Sequence, residues 1–169
     1  SGTHPGVLRF KRMTKRAYFD GPRPLAFAHR GGARTFPENT LLAFQGAIAM
    51  GYRHIETDVH LTRDGEIVCF HDATLDRTTN GKGPLREYTC AQLKELDAGG
   101  WKASYFQGLK IPTFEEFLTL TRPYTNLLFS VEIKEEPDDI ACTDAAIAMT
   151  NAFGMTDRCV FTSFNAAVT

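Results

Sequence analysis

The sequence predicts an α/β domain, and three observations carry that prediction. Short apolar runs alternate with amphipathic segments, the links between them are rich in glycine, proline and polar residues, and charged residues gather just after the apolar runs. Strands alternating with helices imply parallel pairing through right-handed crossovers. A chain of 169 residues with 43% hydrophobic and 11% aromatic content can bury one ordinary core.

Taken in order, "LAFA" (25–28) predicts a short buried strand. "NTLLAFQGAIAMG" (39–51) spaces Leu41, Phe44 and Ile48 on one helical face, with Asn39 as the cap and Gly51 as the stop. "YRHIETDV" and "EIVCFH" predict two strands joined by the turn Arg63-Asp64-Gly65. A long polar, glycine-rich stretch follows His71, leading to a short helix around "CAQLKELDAG". Beyond Pro112 come a helix ("TFEEFLTLT"), the strand "NLLFSVEIK", a helix over 138–153 and the strand "RCVFTSF".

Lys and Arg number 19 against 20 Asp and Glu, a balance that gives no reason to expect a nucleic-acid partner. The imbalance is local. Residues 1–24 carry Arg9, Lys11, Arg12, Lys15, Arg16 and Arg23 against Asp20, and read as a solvated basic lead-in, with contact to a membrane surface as the alternative. No apolar stretch approaches the ~18 residues that cross a bilayer, so no transmembrane segment is expected. Cys69, Cys90, Cys142 and Cys159 form no Cys-x-x-Cys pair and read as reduced thiols, which favours a cytoplasmic location; a removed signal peptide would leave no trace.

In parallel α/β folds, functional groups gather at the carboxyl ends of strands. His29-Arg30 follows the first predicted strand, Glu56 and Asp58 end the second, His71-Asp72 ends the third, and Glu132 and Lys134 end the fourth. That placement is the arrangement of a (β/α)-barrel active site. Alternate strand residues lie about 7 Å apart on one side, so Glu56 and Asp58 project together, as do Glu132 and Lys134. Three carboxylates at one mouth would repel unless a cation sat among them, and oxygen-only ligation suits Mg²⁺ or Ca²⁺. The plainer alternative has these acids capping strand ends and pairing with Lys134 and Arg30. His4, His54 and His60 read as structural. His29 and His71 each end an apolar run beside a charged residue, and two imidazoles flanking a cation and an arginine suit a phosphodiester.

"AHRGG" with "PENT", "ETDVHLTRDGEIVCFHD", "LDRTTNGKG", "LKELDAGGW", "IPTFEEFL" and "VEIK" together closely resemble the glycerophosphodiester phosphodiesterase family, from about Leu25 onward. The resemblance implies a TIM barrel, one divalent cation, and cleavage of a small glycerophosphodiester to glycerol 3-phosphate and an alcohol, within lipid and glycerol metabolism. It implies that His29 and His71 are catalytic, that Arg30 and Lys134 bind substrate, and that Glu56, Asp58 and Glu132 hold the metal. It leaves Glu38 of "PENT" between supporting the first loop and touching the ligand, and gives Gly31-Gly32 the task of turning the backbone tightly beside the ligand. It also implies a small insertion, about 73–111, walling the cleft, which Trp101, Tyr105 and Phe106 are expected to pack against the barrel.

A TIM barrel takes about eight strands, and five strand signals are present. Residues 25–169 are therefore expected to be the amino-terminal part of such a barrel, prone to self-association through open sheet edges. Dinucleotide, Walker-type and Gly-x-Ser-x-Gly motifs are absent. The alternatives are a lysophospholipase D activity by the same chemistry, or a non-catalytic incomplete barrel.

Overall fold

A computed structural model of the chain describes residues 18–21, 23–134, 137 and 139–165. The basic residues Arg9 to Arg16 and His4 lie outside them. The strands are β1 (Phe27–Ala28), β2 (His54–Leu61), β3 (Ile67–Cys69), β4 (Leu128–Ile133) and β5 (Cys159–Ser163). The α-helices are α1 (Leu41–Ala49), α2 (Cys90–Glu95), α3 (Phe114–Thr121) and α4 (Asp139–Ala152). The strands make one sheet in the order β1-β2-β4-β5, parallel throughout, as the alternating pattern predicts.

β3 departs from that pattern. It pairs antiparallel with β2 through Val59 and Cys69, His60 and Val68, and Leu61 and Ile67. The turn at Arg63-Asp64-Gly65 is far too short for a parallel crossover and can only reverse the chain. β2 and β3 thus form a hairpin, closed by the Thr62 amide donating to the Glu66 carbonyl at 2.9 Å, and the chain returns along β2 to deliver His71. The Phe70 amide donates to the Asp58 carbonyl at 3.0 Å, which fixes the end of that return.

Alternation sorts the residues of β2. Ile55 and Val59 are wholly buried in the main core, which gathers Phe44 from α1, Phe114 and Phe117 from α3, and Phe129 from β4. The Phe117 ring meets Phe44 at 4.7 Å and Phe129 at 5.2 Å between centroids, edge to face. Thr40, not Asn39, caps α1: its hydroxyl accepts from the Ala43 amide at 3.2 Å. Asn39 has a left-handed φ of 54° and spends its amide on the site described below. α3 begins with a capping box, in which Thr113 and Glu116 satisfy each other's backbone amides.

A second core joins β3 to α2 and is built from Val68, Phe70, Leu75, Leu85, Leu93, Ala98 and Ile111. The aromatic packing expected there is corrected. Tyr105 is 81% exposed and Trp101 39%, while the Phe106 ring meets Phe36 at 6.5 Å, edge to face. Aliphatic side chains, with Phe70, do the burying. The first predicted strand is also thinner than expected, with Ala28 buried but Phe27 37% exposed.

Candidate active site

Glu56 and Asp58 share one face of β2, and the register pairs Asp58 with Glu132 of the neighbouring β4. The three carboxylates converge so that one oxygen from each lies within 4.8 Å of the others. The pairing alternative is also realised. Lys134 hydrogen-bonds Glu132, and its Nζ stands 3.0 Å from Asp58 Oδ1. That oxygen is buried and faces the Lys134 ammonium. Burial, with the Asp58 and Glu132 charges, pushes the Glu56 carboxyl up to about 7. Burial alone would lower the Lys134 pKa, but Glu132 and Asp58 outweigh it and raise it. An all-oxygen set with crowded negative charge fits a divalent metal ion, and these three residues could hold one.

The first loop is built to present Arg30. Its residue is left-handed, with φ of 51°, and its amide donates to Glu56 Oε2 at 2.6 Å. The guanidinium donates to Glu38 Oε1 at 2.9 Å, and its Nε stands 3.6 Å from Asp58 Oδ2. Gly31 has φ of 73°, and a Cβ there would sit 2.7 Å from the Phe44 ring. Its requirement comes from that left-handed backbone and from the packing on α1 together. His29 is two-thirds exposed at its side chain, with Nε2 3.9 Å from Glu56 Oε2. Partial burial and the neighbouring Arg30 charge lower its pKa, favouring the neutral ring.

His71 lies across from these groups in a groove of about 480 Å³ shared with Asp72, Glu132, Lys134 and Phe164. Its Nδ1 is 2.6 Å from Asp72 Oδ1. His60, read from sequence as structural, is buried, and its Nε2 donates to the His71 carbonyl at 3.1 Å, holding that backbone in place. His54 is structural in the same sense, its Nε2 reaching the Tyr18 carbonyl at 2.9 Å. A separate cavity of about 340 Å³ at the amino-terminal ends of β1 and β2, lined by Leu25, Met50, Tyr52 and His54, contains none of the candidate residues.

Asn39 and Arg77 escaped the sequence reading as site residues, and Asp72 was read only as the charged neighbour of His71. Asn39 donates to Asp58 Oδ2 at 2.9 Å while accepting from the Thr57 hydroxyl at 2.9 Å, which orients the central carboxylate. Asp72 pairs with His71, and Arg77 binds both Asp72 and Glu38. The "FHD" and "LDRTT" segments contain Asp72 and Arg77, but nothing in their spacing shows that the two meet. Glu38 itself proves to support the loop: its side chain is 8% exposed and is taken up by two arginines.

Comparison with known proteins agrees with this arrangement. The chain is 44% identical over 112 residues to a glycerophosphodiester phosphodiesterase of Caldanaerobacter subterraneus subsp. tengcongensis, covering 66% of this chain and 46% of that protein. It is 41% identical over 124 residues to one of Bacillus subtilis, covering 69% and 41%. An Oleispira antarctica phosphodiesterase, solved in complex with the product sn-glycerol-3-phosphate, superposes with a TM-score of 0.80 at 35% identity, over 86% of this chain and 59% of that one. A glycerophosphodiester phosphodiesterase from Agrobacterium tumefaciens gives 0.76 at 33% identity, over 84% and 58%. The chain thus spans about half the length of the curated relatives it matches. With its sheet matching these structures, and with the Glycerophosphoryl diester phosphodiesterase family model matching residues 29–168, the chain belongs to that family.

Proposed function

We propose that the protein hydrolyses small glycerophosphodiesters to glycerol 3-phosphate and an alcohol. The observation that carries this reading is the convergence of Glu56, Asp58 and Glu132 within 4.8 Å, beside the cations Arg30 and Lys134. A relative with glycerol 3-phosphate bound supports the substrate class. Glu56, Asp58 and Glu132 would hold Mg²⁺ or Ca²⁺, which would neutralise phosphate charge. Arg30 and Lys134 bind the phosphate oxygens, exchanging their carboxylate partners for the ligand. His29, held toward its neutral form, takes the proton of the glycerol hydroxyl that attacks phosphorus, and His71 protonates the departing alcohol oxygen as its bond to phosphorus breaks. The product of that step is a cyclic glycerophosphate, which water opens as His71 takes a proton from the water and His29 returns its proton to the glycerol oxygen released from phosphorus.

A lysophospholipase D activity is the second reading, favoured by Phe164, which is 85% exposed on the lip of the His71 groove and offers an apolar surface to an acyl chain. Purified protein assayed on glycerophosphocholine and on a lysophospholipid separates the two. Turnover should vanish with chelator and return with Mg²⁺ or Ca²⁺, and His29→Ala and His71→Ala should each lower it on the order of 10²-fold. Turnover unchanged after exhaustive chelation would sink the metal assignment. Full activity in either histidine variant would sink the acid/base assignment.

A further inference from the structure

The polar stretch after His71 carries one side chain whose contacts reach both halves of the site. Arg77 Nε donates to Asp72 Oδ2 at 2.7 Å and its Nη2 to Asp72 Oδ1 at 2.8 Å. The same guanidinium donates through Nη1 to Glu38 Oε2 at 3.0 Å and through Nη2 to Glu38 Oε1 at 2.6 Å. All three of its nitrogens are thus used on two carboxylates from two different loops. Asp72 accepts from His71 at 2.6 Å, and Glu38 accepts from Arg30 at 2.9 Å. We propose that Arg77 is a positioning residue that locks the two loops together, fixing the His71 ring through Asp72 and the Arg30 guanidinium through Glu38.

The anchorage of Arg77 suits that task. Leu75, two residues earlier, is wholly buried in the second core, and Thr78 and Thr79 that follow are buried. The Thr79 amide and hydroxyl both donate to the Leu75 carbonyl, at 3.1 and 2.7 Å, making a tight turn from which Arg77 projects. The planar fork makes two-point contacts that a lysine's single ammonium cannot reproduce. With Arg77 in place, Asp72 stays ionised and accepts a hydrogen bond from Nδ1–H, so that Nε2 of His71, with the proton it is to give up, faces the reaction. Its Arg77 side chain is 44% exposed, and ion pairs that open to water add little stability, so the network's value lies in orientation. The segment from 73 to 111 then contributes to chemistry as a frame for the acid/base ring, beyond walling the groove.

The proposal rests on the roles given above to His71 and Arg30, and its test has one readout that does not need turnover. Nitrogen NMR of the full-length protein labelled at histidine reports the His71 tautomer directly. At a pH where the His71 ring is neutral, the wild type is expected to hold one tautomer with Nδ1 protonated, and Arg77→Ala a mixture; the proton that the ring later gives up then adds at Nε2. On glycerophosphocholine the same variant should lose 10- to 100-fold in kcat and gain a few-fold in KM, with divalent-ion affinity by calorimetry unchanged. Arg77→Lys should recover part of kcat, and Arg77→Ala placed on Asp72→Asn should add little further loss. Wild-type kcat in Arg77→Ala, or a fall in kcat with the His71 ring still in its single tautomer, overturns the proposal. Should the wild type show no turnover, the functional reading falls while the NMR comparison still decides the role of Arg77. If Arg77→Ala does not fold, Arg77→Lys is judged by the same two measurements.

Discussion

Glu56 is held between opposing influences. The Arg30 amide favours its charged form, yet burial and two neighbouring carboxylates raise its pKa from 4.5 to about 7. A divalent ion must displace that proton, so affinity should fall up to about tenfold per pH unit below 7. Calorimetric titration with Mg²⁺ or Ca²⁺ at pH 5.5, 6.5 and 7.5 would read the slope, and Glu56→Gln should weaken binding and flatten it. Stability without the ion runs in the opposite sense. Because the folded state binds the proton more tightly than the unfolded chain, stability should decline as pH rises from 4.5 through 7, by on the order of 2–3 kcal/mol at most, and added ion should reverse the decline. Asp58 differs from Glu56 in being held by side chains on both oxygens, Asn39 on Oδ2 at 2.9 Å and Lys134 at 3.0 Å from Oδ1, which aim it at the centre of the cluster. Asp58→Asn should therefore abolish measurable ion binding while leaving the helix beside it intact.

The elements that carry the site differ in how openly the sequence declares them. The alternating pattern of "IETDV" and "VEIK" is enough to place Glu56, Asp58, Glu132 and Lys134 on one face, because period two is enforced by backbone geometry. The direction of β3 was legible in principle, since three turn residues cannot cross to a parallel neighbour, but its apolar run looks the same in either direction. Arg77, Asp72 and Asn39 were not legible as a network, because polar contacts between loops depend on tertiary placement and leave no periodic trace. Gly31 was legible as a tight turn, as its left-handed φ of 73° shows, but the second reason was not: the Phe44 ring of α1 occupies the space a side chain would need. Gly31→Ala combines a left-handed backbone with a 2.7 Å approach to that ring, and should destabilise the protein by about 2–3 kcal/mol in chemical denaturation. It should also weaken ion binding, since the Arg30 amide that orients Glu56 is the next residue along. Phe117→Ala, which empties the centre of the aromatic cluster, should cost about 3–5 kcal/mol with a smaller effect on ion affinity.

At the scale of the whole molecule, the sheet's middle and its margins are unequal. β2 and β4 each pair on both sides, and the residues of β4 that face the helices are buried. The margins are β1, two residues long with Phe27 37% exposed, and β5, in which none of the five residues is buried. Among the described residues neither outer strand has a second partner, and Phe164 beyond β5 is 85% exposed. Unpaired amides and carbonyls on a parallel edge recruit further strands, especially where apolar side chains accompany them. Relatives that this chain covers over 41 to 59% of their length have further sequence available to supply such strands. A polypeptide of these 169 residues alone is therefore expected to pair its β5 edge with another copy and to turn over substrate more slowly than a chain that carries further strands. Size-exclusion with light scattering should show a dimer or larger species, and hydrogen exchange should find slow amides in β2 and β4 with protection of β5 rising with protein concentration. Supplying the remaining length of a relative, fused after residue 169, should return the protein to a monomer and raise kcat. A cooperatively folding monomer of the 169 residues with full phosphodiesterase activity would show that β5 needs no neighbour.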